Sequence, residues 1–466
     1  MLSILADRFG PKSVVTDADA ITPWLTDWRE RFRGASPAIL APGSTEEVSA
    51  MVALAVEHGV PLVAQGGNTS MVGGATPPED GSALILSLRR MDRLRSIGAE
   101  SGLAVAEAGM ILANLHARAD EVGMRFPLTL GARGSCTVGG LISTNAGGTQ
   151  VLRFGTMRAL VAGVEAVLPD GSIHNGLGAL KKDNRGYSID QLLIGAEGTL
   201  GIVTAASLRL VPAVTSRAVA WLGLNDPQSA LNVLRMLEAH TKAVEGFEIV
   251  PSDSLALVLQ HIPGTRSPLT GQHRWHALVE ATASSDRDEA PAVLLERLLA
   301  PALESRLIED AVIAASEAQA DALWRIRDSI SEAERASGPA TQHDISVPVT
   351  DMPHFMVEAA REVEAAFPGA QASAFGHLGD GNVHFHVRAG SRAADDWYDR
   401  EAPAVTRFVD DLVTAAGGSI SAEHGIGQTK KDELERLSSP SRLFALRAIK
   451  HGFDPQGLMN PGKLIG

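Results

Sequence analysis

Two segments in the carboxyl-terminal half carry side chains suited to holding a divalent ion. They are Phe375-Gly-His377-Leu-Gly-Asp380-Gly-Asn-Val-His384-Phe-His386 and, further on, Ala422-Glu423-His424-Gly-Ile-Gly427. Gly379, Asp380 and Gly381 accept the positive φ of a hairpin tip, so the spacing predicts a turn over 378–382 that folds His377 back alongside His384. Val383, Phe385 and Val387 alternate with His384 and His386, which in a strand puts both histidines on one face and the apolar set on the other. His377 and His384 as neutral imidazoles, with Glu423 as third ligand, would make a catalytic zinc-type set whose fourth position stays open for substrate. A single histidine is ordinarily a core or solvated residue. Four of the chain's 14 histidines lie in these two glycine-flanked segments, which favours a site.

Elements must position this set, and the chain has ample length for them. At 466 residues it exceeds one hydrophobic core, and two or three domains are expected. The 41 basic residues against 55 acidic ones give a net charge of -14, which repels nucleic acid and anionic lipid. An anionic substrate must then be drawn in by a local cluster of Arg, Lys, His or metal. Cys136 is the only cysteine, so no internal disulfide forms and a reducing compartment is expected; with no adjacent base it reads as a packed small residue, not a nucleophile. The amino terminus has too short an apolar run for a signal peptide, and no stretch approaches the length of a membrane span. The expected location is cytoplasmic.

In the amino-terminal half, 37–42 reads as a strand. Ser44 and Glu47 form a capping box that opens a helix with Val48, Met51, Val52, Leu54 and Ala55 at helical spacing. The run 61–64 is the next strand, closing a βαβ unit on Gln65-Gly66-Gly67-Asn68-Thr69-Ser70-Met-Val-Gly73-Gly74. Such a backbone-rich loop after a strand makes a nest of N–H groups suited to a pyrophosphate. Similar clusters are Gly131-Ala-Arg-Gly134-Ser135-Cys-Thr-Val-Gly139-Gly140 with Thr144-Asn145-Ala-Gly-Gly148, and Gly195-Ala-Glu197-Gly198-Thr-Leu-Gly201-Ile202. None fits a Rossmann G-x-G-x-x-G opening a helix, and no Walker lysine follows. Three clusters in one region favour an extended ligand threaded along backbone.

Beyond Pro212 the pattern changes to strand 217–224, helix 227–240, strand 244–250, strand 275–281, helix 286–299 and strand 307–314. This βαββαβ order predicts an antiparallel, ferredoxin-like plait with one face free to lie over another domain. A long helix over 316–336 follows, placing Arg327, Ser331 and Arg335 on one face at i, i+4 and i+8. The run 341–348, with Gln342, is the next strand.

The three glycine-rich clusters, together with Asp183-Asn-Arg-Gly-Tyr187, resemble the FAD-binding domain of the vanillyl-alcohol oxidase and p-cresol methylhydroxylase superfamily. Within it the chain resembles D-2-hydroxyglutarate dehydrogenases and their D-lactate dehydrogenase relatives, from about Pro37 to the carboxyl terminus. The resemblance implies an α+β fold. It consists of a helical lead (1–36), a two-part FAD-binding domain (37–215), an antiparallel α/β substrate cap with helical segments (216–450) and a terminal segment returning to the FAD domain (451–466). It implies FAD with its pyrophosphate on the loop Gln65, Gly66, Gly67, Asn68, Thr69 and Ser70. The ring and ribityl chain would lie near Gly134, Ser135, Gly139, Thr144, Asn145, Glu197, Gly198 and Ile202, with Asn460 at the ring. The first loop has neither His nor Cys, so the flavin is expected to be non-covalent.

The resemblance also assigns Arg327 to the substrate carboxylate, for which a guanidinium fork is suited. It marks three departures: Gln342 stands where the relatives carry Lys, His386 where they carry Asn, and Ser331 where they carry Thr. Ser331, Gln342 and His386 are thus candidate substrate contacts, and an amide at 342 leaves a second carboxylate unneutralised. The reaction implied is oxidation of a D-2-hydroxy acid of the D-2-hydroxyglutarate, D-malate or D-lactate class to the 2-oxo acid. A divalent metal, expected to be zinc, would polarise the hydroxyl, and His424 would take its proton. Electrons would pass to an external acceptor, an electron-transfer flavoprotein or a quinone, and a homodimer is compatible. The competing readings are an oxidase using oxygen directly and the flavin subunit of a glycolate-oxidase-like complex.

Overall fold

The computed structural model describes residues 1–390 and 396–465. Its contacts divide the chain into two compact units, one of Met1–Gly148, Phe154–Ala213 and Glu423–Gly466, the other of Thr149–Arg153 and Val214–Ala422. The terminal segment of the first unit thus begins at Glu423, earlier than the expected boundary near 451. No composition change marks that point; it is set by hydrogen bonds of the 426–427 backbone described below. No helix among the described residues is long and apolar enough to cross a membrane.

In the first unit, the capping box forms as its chemistry requires. Ser44 accepts the N–H of Glu47 at 3.3 Å, while the Glu47 carboxylate accepts the N–H of Gly43 at 2.8 Å. The helix Thr45–Glu57 buries Val48, Met51, Val52 and Ala55. Strands Ile39–Leu40 and Leu62–Gln65 flank it, but they are not neighbours. Strand Leu84–Ser87 lies between them and pairs in parallel with both. Its unbroken apolar run, buried from Leu84 to Leu86, is the signature of a parallel strand covered on both sides. A separate five-stranded antiparallel sheet runs Leu94–Gly98, Leu103–Glu107, Ile202–Arg209, Val161–Val167 and Ile173–Asn175 in spatial order.

The second unit is built on one seven-stranded sheet. In chain order its strands are β1 (Ser216–Leu224), β2 (Val244–Pro251), β3 (Trp275–Ala283), β4 (Asp310–Ile313), β5 (Ala340–Ser346), β6 (Gln371–His377) and β7 (Asn382–Arg388), and their spatial order is β4-β1-β3-β2-β6-β7-β5. The first four keep the ferredoxin-like order expected from sequence. Beyond β2 the sheet continues through the β6–β7 hairpin to β5, an extension that the βαββαβ reading does not contain. Helix α1 (Ser252–His261), directly after β2, is also additional.

Alternation decides which face does what. Phe385, Val383, Val387 and Ala374 point to one side and join Ile345, Phe247 and Ile249 in a large apolar core. On the opposite side, register pairs His377 with Asn382 and Phe375 with His384. It also pairs Ser373 with His386, His384 with Asp344, and His386 with Gln342. That polar side is covered by α1 and by two helices, α2 (Glu317–Asp328) and α3 (Ile330–Ser337), which pack Leu323, Ile326, Ile330 and Ala333 around Phe375 and Val250. The sequence predicts a single helix here; the chain breaks at Ser329, so the expected common face of Arg327, Ser331 and Arg335 is not continuous. Arg335 is exposed, whereas Arg327 and Ser331 are half-buried.

Phe385 anchors the apolar side that holds the histidines opposite it in register. Phe385→Ala is expected to lower stability by about 3–5 kcal/mol. Chemical denaturation measures this, and a loss under about 1 kcal/mol would show that the site relaxes around the void.

Candidate active site

Backbone, not side chain, lines the first glycine-rich loop. A Cβ on Gly67 would collide with the Ser135 carbonyl, and one on Gly66 with Thr137 Oγ1, so the first and second clusters touch through glycine. Side chains of this region are largely spent on holding it. Gln65 Nε2 donates to the carbonyls of Trp24 (3.0 Å) and Ala75 (2.9 Å), and Asn68 Nδ2 donates to that of Thr26 at 2.9 Å. Ser70 Oγ accepts the N–H of Gly74 at 3.0 Å. Gly139, next to Ala108, and Thr144 lie on the helix Val138–Thr144, which Asn145 ends in the left-handed conformation with φ 51°. Gly134 and Ser135 form the turn before it, and Ile202 opens a buried strand.

Glu197 is the link to the last segment of this unit. Its carboxylate accepts the N–H groups of Ile426 (2.7 Å) and Gly427 (2.8 Å). Burial pushes its pKa up, opposed by those two bonds and by Lys430 and Lys463. Asn460 Nδ2 donates to the carbonyls of Glu197 (2.6 Å) and Gly74 (2.9 Å), joining Gly198 to the first loop. Gln428 N–H donates to the Val72 carbonyl at 2.9 Å. Half-buried Glu423 and His424 therefore head a loop fastened to the glycine-rich clusters.

The second unit places Arg327, His377, His384 and His386 over one sheet face. The expected hairpin is present, with Asp380 accepting the N–H of Asn382 at 2.9 Å and Gly381 at φ 81°. The rings of His377 and His384 are 5.3 Å apart between centroids. A residue that the sequence reading did not single out organises them. Glu248 on β2 is fully buried, and it stands opposite His377 in register. Its Oε1 lies 2.6 Å from His377 Nδ1, and its Oε2 accepts from Arg327 Nε at 2.7 Å. Burial opposes ionisation of this carboxyl, yet the Arg327 guanidinium and the His377 N–H bonded to it hold its pKa below the ordinary value. Its signal in the sequence is an acid flanked by apolar residues in Gly-Phe-Glu248-Ile-Val, on a strand that also carries Glu245.

Packing gives the two imidazoles different settings. His377 Nδ1 is committed to Glu248, which leaves Nε2 as its ligand atom, 3.4 Å from Arg327 Nη2. Burial, then Arg327 and His377, hold His384 well below the usual imidazole pKa, so it is neutral at pH 7 as a metal ligand must be. Arg327 also lies over the Phe375 ring, 5.6 Å from its centroid. His386 bonds through Nδ1 to Glu334, a buried carboxyl on α3 also missed in the sequence, and Gln342 sits opposite His386 on β5. Cys136 is buried with its thiol pushed up to about 11, as an inert packed residue should be.

Residues 36–176 match the FAD binding domain family, and residues 214–464 match the family of FAD linked oxidases, C-terminal domain. D-2-hydroxyglutarate dehydrogenase, mitochondrial, of Arabidopsis thaliana is 35% identical over 465 residues, covering 100% of this chain and 81% of that protein. The D-2-hydroxyglutarate dehydrogenase of Xanthomonas citri pv. viticola is 36% identical over 94% of this chain and 91% of its own length. In fold, the solved structure of p-cresol methylhydroxylase with substrate bound aligns with TM-score 0.72 at 14% identity, over 99% of this chain and 96% of that one. The chain belongs to the FAD-linked oxidases of the vanillyl-alcohol oxidase and p-cresol methylhydroxylase superfamily.

The residues present fit FAD. Glycines hold loop backbones where any Cβ would intrude. In addition, the buried atoms Gln65 Oε1, Thr76 Oγ1, Thr137 Oγ1 and Asn460 Oδ1 of this unit have no hydrogen-bond partner among the described residues. Gly67→Ala is expected to yield protein that has lost its yellow colour. Flavin absorbance per chain after gel filtration measures this, and full retention would place the pyrophosphate elsewhere.

Proposed function

We propose that the protein oxidises a D-2-hydroxy acid to the corresponding 2-oxo acid, with FAD as hydride acceptor and a divalent metal at His377, His384 and Glu423. Curated relatives at about one-third identity carry the name D-2-hydroxyglutarate dehydrogenase, which supports the reaction class. One observation carries the reading in this chain: a single buried carboxylate, Glu248, grips both the arginine suited to a substrate carboxylate and the histidine suited to a metal.

Oxidation of a 2-hydroxy acid removes a hydride from C2 and a proton from its hydroxyl. Bound FAD supplies the hydride acceptor. A divalent ion, when bound, lowers the pKa of the hydroxyl that it contacts. The rest is done by the chain. Arg327, oriented through Nε by Glu248, turns its guanidinium to the 1-carboxylate, and charge-assisted bonds of this kind contribute roughly 1.5–3 kcal/mol each. His377, fixed as the Nδ1–H tautomer by the same carboxylate, presents Nε2 as ligand, the arrangement by which outer-shell carboxylates orient metal-binding imidazoles. His384 is kept neutral by its surroundings, and Glu423 completes the set. His424, next to Glu423, takes the hydroxyl proton. Electrons then leave for an external acceptor such as an electron-transfer flavoprotein or a quinone.

Paired D- and L-2-hydroxy acids assayed anaerobically with an artificial acceptor test this reading. D-selective flavin reduction is expected, and its absence with every 2-hydroxy acid would overturn the proposal. Exhaustive chelation should abolish turnover, with zinc or another divalent ion restoring it; full activity at zero measured metal would remove the metal from the scheme. Glu248→Gln is expected to weaken metal affinity by about 10- to 100-fold. Metal titration reads this independently of turnover, and unchanged affinity would leave Glu248 with a structural role alone.

A further inference from the structure

Residues ahead of the matched FAD binding domain, which begins at residue 36, pack against its first glycine-rich loop. Both stretches belong to the first unit. At the start of the loop, the carbonyls of Trp24 and Thr26 accept the side-chain amides of Gln65 (3.0 Å) and Asn68 (2.9 Å). In its middle, the Phe32 ring lies so close to Gly73 that a Cβ there would stand 2.7 Å from Phe32 Cδ2. Past its end, the Ala35 N–H donates to the Pro78 carbonyl at 2.9 Å, and Gly34 has no room for a Cβ beside the Pro77 carbonyl.

One buried carboxylate that the reaction does not use gives this lead its shape. Asp27 is buried; its Oδ1 accepts the N–H of Phe32 at 2.6 Å and its Oδ2 that of Arg29 at 3.0 Å. Backbone bonds close the same turn, from the Asp27 N–H to the Phe32 carbonyl and from the Glu30 N–H to the Asp27 carbonyl, each at 3.0 Å. Thr26 and Arg33 pair across it in an antiparallel bridge. Aspartate suits this task because a carboxylate accepts strongly from nearby backbone N–H groups. The Thr26 carbonyl and the Phe32 ring are thus carried on one piece, the first against Asn68 and the second against Gly73. Asn68 itself sits at φ 55°, a left-handed conformation that asparagine adopts more readily than most residues but that is one of several open to an unrestrained loop.

We propose that the turn 26–33, clasped by Asp27, is a positioning element of the cofactor site, holding the 65–74 backbone in the shape that receives the FAD pyrophosphate. Asp27 and Phe32 are its positioning residues. This rests on the reading that the first loop carries the pyrophosphate. Preorganisation is the physical reason. A nest of N–H groups binds an anion well only when its backbone angles are already set, since otherwise part of the binding free energy is lost to ordering the loop. Cofactor affinity then depends on residues outside the matched domain.

The experiment titrates FAD into flavin-free, full-length wild-type, Asp27→Ala and Asp27→Asn proteins, with the melting temperature of each apoprotein measured alongside. Asp27→Ala is expected to raise the Kd for FAD by at least about tenfold, and Asp27→Asn, which keeps one acceptor oxygen, by less. A purely architectural turn would lower the melting temperature and leave the Kd unchanged. Phe32→Ala keeps the hydrogen bonds of the turn while removing its contact with Gly73; it should also raise the Kd, and it decides the matter if the Asp27 variants do not fold. Folded variants that bind FAD within about twofold of wild type, whatever their melting temperatures, would overturn the proposal and leave the flavin reading standing. A wild-type chain that binds no FAD would remove both.

Discussion

A carboxylate buried beneath a sheet face and shared by an arginine and a histidine is the constraint on which the second unit's chemistry depends. Glu248 has no solvent to stabilise its charge, so Arg327 and His377 must do so, and in doing so they become fixed. Removing one partner of such a buried pair typically costs about 3–5 kcal/mol, because the remaining charge stays uncompensated. The pair is therefore weak evidence of added stability but strong evidence of imposed geometry. It forces one tautomer on His377 and one orientation on Arg327, the two properties that a metal ligand and a carboxylate clamp require.

The first unit solves a different problem, which is to bring backbone close to an extended anionic ligand. Its answer is glycine at points of backbone contact, with acids and amides used as internal ties. Glu197 and Asn460, both expected at the ring because of the family resemblance, act within this chain as fasteners of the 426–427 and 74 loops. A fastener of this kind can still border the ligand. Glu197 holds the loop that Glu423 and His424 head to the glycine clusters.

Much of this was legible in the residues alone, and the gaps have physical causes. The capping box, the Gly379–Gly381 turn and the alternation of Val383, Phe385 and Val387 are local signals, and local hydrogen bonds and periodicity determine them. The central position of strand Leu84–Ser87 and the place of β5 at the sheet edge are non-local, decided by which apolar faces find one another. Ser329, between two good helical runs, gives no breaker signal, so the split between α2 and α3 was not visible. Glu248 and Glu334 were missed because an acid in a strand or helix normally faces water. Only tertiary burial, and the basic partners it supplies, turns them into positioning groups.

Through Glu248, Arg327 and His377 act as one unit. A double-mutant cycle on kcat/KM with Arg327→Lys and Glu248→Gln tests it most directly. A coupling energy of at least about 1.5 kcal/mol is expected, as for other close charge pairs. Additive effects, within about 0.5 kcal/mol, would contradict it.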